Sequence, residues 1–293
     1  MTERVGFVGL GWMGHPMAHN ILTGGYPLTV LAHRRREAID DLVGKGATEA
    51  PSPAALAESS DVIVLCLTGA PQVEEVVRAM MPALRRDQAI VDCSTSDPVM
   101  TDRLGEELSQ IGVALVDAPL GRTPKDAWAR NLDVMAGGLT EVVERVSPIL
   151  ECFAGRVVHV GGPGDGHRMK LLNNFLSLGY ASLYAEALAL SRKVGIPVER
   201  FDSVIRGGRM DCGFYQTFMG YALEGNREAH RFTISNAYKD LRYLESMANA
   251  ATVATPMASA AKNSFALAMG CGGDGEEDYV PHLVDYVARA NGL

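Results

Sequence analysis

A glycine pattern near the amino terminus constrains the fold of this chain more than any other feature. The apolar run at residues 5–9 leads directly into Gly9-Leu10-Gly11-Trp12-Met13-Gly14, and a helical pattern follows. A G-x-G-x-x-G turn between strand and helix is typical of dinucleotide binding, because glycines permit a tight turn, close approach of the pyrophosphate at the helix N-terminus, and close helix–strand packing. The predicted cofactor-binding residues are Gly9, Gly11, Trp12, Met13 and Gly14. The alternative is a glycine turn that serves packing only.

The first half of the chain alternates short β-branched runs with helical patterns. The predicted strands are residues 5–9, 28–32, 62–67, 89–92, 113–117, 133–136 and 157–160. The clearest helical segments between them are residues 16–23, 73–80, 100–110 and 141–152. Such alternation predicts an α/β fold with a Rossmann-type, doubly wound parallel sheet covered by helices on both faces.

The pattern changes at the breaker cluster Gly161-Gly162-Pro163-Gly164. No convincing strand follows, and a helical pattern runs from about 166 to 194 before stopping at Gly195-Ile196-Pro197. Further helices are predicted at residues 214–223, 234–249, 256–268 and 280–290. The boundary near residue 162 gives a cofactor-binding domain at 1–162 and an all-helical substrate and dimerisation domain at 163–293. Because the long helix is apolar on most of its circumference, we expect it to be buried at an interdomain or subunit interface.

Composition and charge narrow the classes of partner. The chain has 293 residues, of which 47% are hydrophobic and 21% charged, as in a globular protein of about two domains. Its formal net charge of −8 argues against nucleic-acid binding, which depends on a basic surface. The five cysteines form no C-x-x-C pair, which argues against a zinc site and indicates a reducing compartment. Without a signal peptide or an apolar stretch of about 20 residues, we expect a cytoplasmic protein that does not enter a membrane.

The end of the second predicted strand indicates which dinucleotide is preferred. An acidic residue there would accept hydrogen bonds from the ribose of NAD, whereas arginine accommodates the 2′-phosphate of NADP. This chain has His33-Arg34-Arg35-Arg36, with no carboxylate before Glu37. We therefore predict NADP(H) rather than NAD, with His33, Arg34 and Arg35 at the phosphate. The alternative is a solvated, charged helix start, although arginine at a helix N-terminus is unfavourable for the helix dipole.

Three polar side chains follow the breaker cluster at helical spacing. Lys170 and Asn174 are four residues apart and Ser177 follows three residues later, so all three can face one small ligand. Burial lowers the pKa of a lysine, which would suit Lys170 to donate a proton when a carbonyl is reduced. Lys170 is therefore the candidate catalytic residue, with Asn174 and Ser177 as candidate substrate ligands. An interhelical salt bridge or a snorkelling surface lysine is the alternative.

Five blocks of residues, in order over nearly the whole chain, carry a family resemblance. They are residues 9–14 with Met17, Asn20 and Gly24; Asp92-Cys93-Ser94-Thr95; Asp117-Ala118-Pro119; residues 166–174; and Lys239-Asp240-Leu241. Together they resemble the β-hydroxyacid dehydrogenases, which include 3-hydroxyisobutyrate dehydrogenase, tartronate semialdehyde reductase and the glyoxylate and succinic semialdehyde reductases. Any one block is weakly specific, whereas their agreement in order is highly specific.

The resemblance implies an activity and roles for further residues. It implies hydride transfer between NADP(H) and a small acidic β-hydroxy acid or its semialdehyde, with Lys170 catalytic and Asn174 bound to the substrate. Leu67, Ser94 and Thr95 would lie along the cofactor near the nicotinamide, and Lys239 would approach it from the second domain. The resemblance also implies a Rossmann-type domain, a helical domain, and a homodimer or homotetramer joined through the helical part.

One segment departs from the family pattern. Most members follow Asp-Ala-Pro with one residue and then Ser-Gly-Gly, which holds the substrate carboxylate, whereas this chain has Gly121-Arg122-Thr123. A guanidinium and a hydroxyl add donors and positive charge, which favours a larger or stronger anion. The motif resembles that of the 3-sulfolactaldehyde reductases, although those are commonly NAD-type at the second strand. Other candidate substrates are the semialdehydes of methylmalonate, succinate and tartronate. Alternatively, Arg122 contacts the loop or a cofactor phosphate.

Two other functions are compatible with such an architecture. Imine reductases share the Rossmann-plus-helical arrangement, and non-catalytic NADP-binding modules of the same fold also exist. Both generally lack a lysine at the position of Lys170, so its presence argues against either as the primary role. The fold by itself does not decide between them.

Overall fold

The computed structural model describes residues 2–31, 36–273, 275 and 277–293. The chain forms two compact units, Met1–Lys170 and Leu171–Leu293. Each unit has its own core of buried apolar side chains. The predicted boundary near residue 162 lies just before the helix Asp165–Lys193, in which the first unit ends.

The described residues of the first unit form one nine-stranded sheet. Its strands are β1 (Val5–Val8), β2 (Leu28–Leu31), β3 (Thr48–Ala50), β4 (Val62–Leu65), β5 (Ala89–Asp92), β6 (Ala114–Asp117), β7 (Leu120–Gly121), β8 (Leu132–Gly137) and β9 (Ala154–Gly161). The order is β3-β2-β1-β4-β5-β6-β8-β7, and β9 pairs with β8. Paired neighbours from β1 to β6 are parallel, whereas β8 is antiparallel to β6 and β7. The predicted α/β class with a mostly parallel sheet is confirmed.

Helices alternate with these strands along the first unit. They are α1 (Gly14–Thr23), α2 (Glu37–Gly44), α3 (Pro53–Ser59), α4 (Ala70–Met80), α5 (Pro98–Gln110), α6 (Pro124–Trp128) and α7 (Thr140–Leu150). The central strands are short apolar runs because both of their faces are covered, and every residue of β1, β4 and β5 is buried. Because β1, β4 and β5 are parallel neighbours, their carboxyl ends lie side by side at one edge of the sheet.

Two strands were not predicted from the sequence. β3 has three residues, two of them exposed, and β7 has two residues that are only partly buried. Neither segment carries the apolar alternation from which a half-buried strand is predicted. The hairpin of β7 and β8 nevertheless determines the position of Arg122, because it places Gly121 opposite Asp133.

The second unit is helical, as predicted. Its helices are α8 (Asp165–Lys193), which starts in the first unit, α9 (Val198–Ile205), α10 (Gly213–Glu224), α11 (Ile234–Ala250), α12 (Pro256–Gly270) and α13 (Leu283–Ala290). Extended pairing among its described residues is limited to a single bridge between Thr233 and Tyr279. The core contains Tyr215, Phe218 and Phe265, each fully buried. Among the described residues, no helix combines the length and apolarity that crossing a bilayer requires.

The long helix α8 has apolar side chains on two faces. One face carries Leu171, Leu178 and other small or apolar residues that are buried in the second core. Another face leaves large apolar side chains exposed on the single chain, among them Leu172, Leu176, Leu183 and Leu190. Leu176, for example, is 60% exposed. An exposed row of this kind is typical of a surface that another protein covers.

Candidate active site

The glycine loop between β1 and α1 has the geometry that its sequence predicts. Gly9 has a φ of 101°, in the left-handed region that favours glycine, and a Cβ there would collide with the carbonyl oxygen of Cys66. At Gly14 a Cβ would collide with the carbonyl oxygen of Gly9. The first and third glycines are therefore required by the local packing of strand and helix.

Gly11, the second glycine, lies in a different environment. Apart from Gly11 and its two chain neighbours, no atom of the described residues lies within 4 Å of a Cβ built on Gly11. The N-terminus of α1 follows directly, and Met13 at its N-cap makes no side-chain capping bond among the described residues. Open space beside the start of a helix that has no side-chain cap fits a pyrophosphate. These residues therefore fit a dinucleotide, while the individual roles of Trp12 and Met13 stay predictions.

The predicted 2′-phosphate residues His33, Arg34 and Arg35 lie outside the described residues. Arg36, the next in the run, is described and stands at the N-cap of α2. Its guanidinium forms ion pairs with Asp40 at 2.8 Å and with Glu49 at 2.7 Å. The third arginine of the run thus already has two carboxylate partners.

Ser94 joins the loops that follow β4 and β5. Its hydroxyl accepts a hydrogen bond from the backbone N–H of Leu67 at 2.9 Å, and its own N–H donates to Asp92 Oδ1 at 2.9 Å. The side chain of Ser94 is buried, whereas Leu67 and Thr95 are partly exposed. The fold therefore brings Leu67, Ser94 and Thr95 to the same sheet edge as the glycine loop, which in parallel α/β sheets is the ligand-binding edge.

The first turn of α8 is anchored by a buried carboxylate. Asp117, at the end of β6, accepts hydrogen bonds from the backbone N–H groups of Gly164 and His167, each at 2.7 Å. A Cβ on Gly166 would collide with the carbonyl oxygens of Asp117 and Met135, so only glycine permits this approach of the helix to the sheet. Burial raises the pKa of Asp117, and the nearby His167 and the two N–H donors oppose that shift. Asp117 therefore holds the helix start, with Lys170 one turn further on.

The predicted trio Lys170, Asn174 and Ser177 lies on the single continuous helix α8. Lys170 is partly buried. The Ser177 hydroxyl donates to the backbone carbonyl of Asn174 at 3.1 Å, within its own helix. Asn174 is buried, and its amide donates to Asp240. Their proposed roles toward a ligand stay predictions.

Asp240 completes a charged group in the second unit that sequence reasoning did not select. Its Oδ2 accepts from Nδ2 of Asn174 at 2.7 Å, and its Oδ1 lies 3.3 Å from Nζ of Lys239. That Oδ1 has no hydrogen-bond partner among the described residues, although Lys239 is close enough for an ion pair. The Lys239-Asp240-Leu241 block carried the signal, but only Lys239 was assigned a role from it.

The Gly121-Arg122-Thr123 corner is engaged by acidic neighbours. Arg122 has a φ of 77°, and its Nε donates to Asp133 Oδ2 at 2.8 Å, which raises the pKa of the guanidinium. Thr123 is the N-cap of α6 and forms a capping box with Asp126. The contact to Asp133 is the loop contact considered as the alternative for Arg122. It uses Nε and Nη2, so Nη1 is left outside the pair.

Comparisons with known proteins cover both units. The family model described as the NAD binding domain of 6-phosphogluconate dehydrogenase matches residues 4–161. The model described as NAD-binding of NADP-dependent 3-hydroxyisobutyrate dehydrogenase matches residues 164–283. Among curated relatives, 3-sulfolactaldehyde reductase of Escherichia coli (strain K12) is 34% identical over 278 residues, which are 94% of this chain and 93% of that protein.

The fold of this chain is also similar to the folds of solved structures. A 3-hydroxyisobutyrate dehydrogenase of Mycobacterium tuberculosis with L-serine has a TM-score of 0.86 at 25% identity, covering 96% of this chain and 99% of that chain. Psf3 in complex with NADP+ and 2-OPP has a TM-score of 0.77 at 25% identity, with coverage of 96% and 99%.

Proposed function

Since this chain belongs to the NAD(P)-dependent β-hydroxyacid dehydrogenases, we propose that it uses NADP(H) and Lys170 to interconvert a small acidic semialdehyde and its hydroxy acid. An oxidoreductase that acts on CH–OH groups is the class of enzyme that these relatives represent. The observation that carries the proposal is the setting of Lys170. It follows a helix turn that Asp117 anchors to the sheet edge, and Asn174 stands one turn later on the same helix.

The chemistry assigns one task to each of these side chains. A bound reduced nicotinamide would supply the hydride that adds to the carbonyl carbon. As the carbonyl electron pair moves to oxygen, Nζ of Lys170 donates a proton to that oxygen, and the product is an alcohol. In the reverse direction neutral Nζ accepts the hydroxyl proton. Asn174, whose amide nitrogen is oriented by Asp240, offers a fixed polar group to the substrate.

The choice of NADP(H) rests on charge at the end of the second strand. Arg34 and Arg35, next to His33, supply cations where an NAD enzyme would carry a carboxylate. A relative of similar fold, Psf3, has a structure in complex with NADP+. The glycine loop fits the pyrophosphate of either dinucleotide, so the preference depends on the arginine run.

For the substrate we favour a small aldehyde bearing a sulfonate or carboxylate. Arg122 supplies a guanidinium at the corner where the family pattern has small residues, and the relative that is 34% identical is named a 3-sulfolactaldehyde reductase. The pair with Asp133 balances the charge of Arg122, so recognition there would depend on directed N–H groups more than on net charge. Gly121 and Thr123 would shape the same corner, and Ser177 would add a hydroxyl on α8.

We further propose a cytoplasmic homodimer or homotetramer joined through the helical unit. The exposed leucines of α8, such as Leu176, Leu183 and Leu190, support this assembly because an isolated chain would leave them in water. Light scattering after size-exclusion chromatography measures the mass of the assembly. Leu176→Glu and Leu183→Glu together should shift it toward the monomer, whereas a monomeric wild type would reject the proposal.

The decisive experiment is an NADPH-oxidation screen over defined aldehydes. The set is 3-sulfolactaldehyde, succinic semialdehyde, glyoxylate, tartronate semialdehyde and methylmalonate semialdehyde, each repeated with NADH. We expect at least one acidic aldehyde to be reduced faster with NADPH and an uncharged analogue to be reduced poorly. Reduction of a cyclic imine without reduction of any aldehyde would replace the proposal with imine reduction.

A further inference from the structure

His167 is a buried titratable side chain to which the proposed mechanism gives no task. It lies in the first turn of α8 and is 0% exposed. Its Nε2 is 3.1 Å from the backbone oxygen of Ser94, and its Nδ1 is 2.9 Å from Oγ1 of Thr101 in α5. These partners precede it by 73 and 66 residues, so only the folded chain brings the three together.

The Ser94 carbonyl determines which nitrogen of the His167 ring carries a proton. A backbone carbonyl only accepts, so Nε2 carries a proton and donates it to Ser94. The Thr101 hydroxyl lies 2.9 Å from Nδ1 and 3.1 Å from the backbone carbonyl of Asp97. When its single proton points to Nδ1, the Asp97 carbonyl still accepts the backbone N–H of Thr101 at 3.0 Å. Both ring nitrogens are therefore satisfied, and the imidazole spans the gap between helix α8 and the loop after β5.

The two carboxylates beside the ring are already occupied by other donors. Asp92 Oδ2 lies 3.7 Å from Nε2 and Asp117 Oδ2 lies 3.9 Å from Nδ1. Asp92 accepts from Ser94 and from the hydroxyl of Ser96, and Asp117 accepts from two N–H groups at the start of α8. Asp92 therefore bonds the backbone of the loop after β5, and Asp117 bonds the backbone at the start of α8. These are the two segments that the His167 ring joins.

Ser94 connects His167 to the sheet edge at which we propose that the cofactor binds. Its hydroxyl holds the Leu67 N–H, its N–H is held by Asp92, and its carbonyl is held by His167. Lys170 follows His167 by three residues, about one helical turn. A displacement of about 1 Å of a catalytic group can lower a rate by about a hundredfold, so a rigid link at this point matters.

We infer that His167 is a positioning residue that holds Lys170 at a fixed place relative to the Ser94–Thr95 loop through its bond to the Ser94 carbonyl. The inference rests on the proposed function of Lys170. In this role His167 contacts neither the substrate nor the cofactor. Asp117 anchors the backbone of α8, and His167 sets the distance between that anchor and the loop.

The test compares variants at His167 with a matched variant at Gln88, the buried residue just before β5. His167→Leu removes both hydrogen bonds of the ring, and His167→Gln keeps a donor for the Ser94 carbonyl. Gln88→Leu removes a buried side chain that donates to the carbonyls of Ala57 and Ser60, at the end of β5 opposite Ser94. We expect His167→Leu to lower kcat about 30-fold with the NADPH dissociation constant changed less than about threefold. His167→Gln should recover kcat to within about fivefold of wild type, and Gln88→Leu should lower the melting temperature without lowering kcat.

Hydrogen exchange separates this inference from the proposed function. In His167→Leu, the amides of residues 164–170 should exchange about tenfold faster than in wild type, with no such change in Gln88→Leu. If wild type reduces no aldehyde, the proposed function fails while the exchange result still decides whether His167 holds the helix start. Should His167→Leu not fold, Thr101→Val, which removes one of the two bonds, should lower kcat about threefold to tenfold. Wild-type kcat in His167→Leu or Thr101→Val, equal loss of kcat in Gln88→Leu, or unchanged exchange would each overturn the inference.

Discussion

Asn174 and Asp240 are joined by a buried hydrogen bond, in which Nδ2 of Asn174 donates to Oδ2 of Asp240 over 2.7 Å. A carboxylate only accepts hydrogen bonds, so this contact fixes which end of the Asn174 amide faces α11. Lys239 lies 3.3 Å from the other oxygen of Asp240. Asp240 therefore connects Asn174 of α8 with Lys239 of α11 in one polar cluster.

Replacing Asp240 with alanine should affect both stability and substrate binding. The buried Asn174 amide would lose its acceptor and Lys239 its counter-charge, which should cost about 1–3 kcal/mol in the free energy of unfolding. The freed amide should also raise the KM for the acidic substrate about tenfold, whereas Asp240→Asn, which keeps an oxygen acceptor, should have a smaller effect. Asp202, a buried carboxylate on α9 that accepts from Tyr215, provides the control. If Asp202→Ala and Asp240→Ala lower stability alike and leave KM unchanged, Asn174 has no role in substrate binding.

Lys170→Ala should remove turnover and preserve cofactor binding. Loss of a general acid typically lowers a rate by about a hundredfold to ten-thousandfold, and that loss should appear in kcat. Fluorescence titration with NADPH should give a dissociation constant within about threefold of wild type, because the glycine loop is untouched. Lys193→Ala, at the other end of the same helix, serves as the control for removing a lysine from α8. Normal kcat in Lys170→Ala would show that another group supplies the proton.

The sequence predicted most of the fold because its signals are local. The glycine spacing, the β-branched runs and the breaker cluster predict the sheet, α1 and the start of α8 without knowledge of distant residues. Helix α9 was not predicted because its eight residues make only about two turns, and its apolar face of Val198, Phe201 and Ile205 packs against the second core while only partly buried. The strands β3 and β7 are too short to carry a period.

The candidate site was predictable only where one helix or one loop contains it. Lys170 and Asn174 share a helix, so their spacing reveals them. His167 could not be selected in this way, because its partners Ser94 and Thr101 are brought to it by the fold alone. The pairing of Arg122 with Asp133 likewise depends on β7 and β8 pairing across the connection that contains α6, and the two residues of β7 are too few to indicate that pairing.

The ion pair of Arg4 and Asp61 should make stability depend on pH in the acidic range. The hydrogen bond from Arg4 is the main cause that lowers the pKa of Asp61 to about 2, from an ordinary value of 3.8. A lowered folded-state pKa means that the stabilisation is present above the unfolded value near 3.8 and is lost as pH falls toward 2. Arg4 is 46% exposed, so we expect less than about 1 kcal/mol. Urea denaturation should show Asp61→Asn less stable than wild type at pH 7 and the difference shrinking below pH 4; a constant difference would contradict this origin.

The arginine run should control cofactor preference. Replacing Arg34 and Arg35 with alanine should weaken NADPH binding about tenfold to a hundredfold, because charge-assisted bonds to the 2′-phosphate would be lost, and leave NADH binding nearly unchanged. Arg36→Gln is the matched control, since Arg36 is already paired with Asp40 and Glu49. Titrations with both dinucleotides measure the ratio. An equal loss for NADH and NADPH would show that the arginines act on the fold rather than on the phosphate.

Arg122→Gly distinguishes an anion-binding role from a purely structural one. Arg122 has a φ of 77°, which glycine adopts without strain, so this substitution removes the guanidinium while relieving the backbone. If Arg122 binds the substrate anion, KM should rise about tenfold or more for acidic aldehydes and less than about threefold for an uncharged aldehyde. Equal changes for both substrates would remove Arg122 from the anion site.

Asp133→Asn tests the same ion pair by removing its negative charge, so the effect on KM should have the opposite direction. The asparagine oxygen can still accept from Nε of Arg122, so the guanidinium keeps its orientation, but the negative charge beside it disappears. The pair is exposed enough for solvent to screen it, so we expect the KM for acidic aldehydes to fall only modestly, by about threefold, with uncharged aldehydes unaffected. A fall in Asp133→Asn together with a rise in Arg122→Gly requires Arg122 to meet the substrate anion directly. If both variants alter only the free energy of unfolding, the contact between β7 and β8 is the whole role of Arg122, and the anion must be held elsewhere.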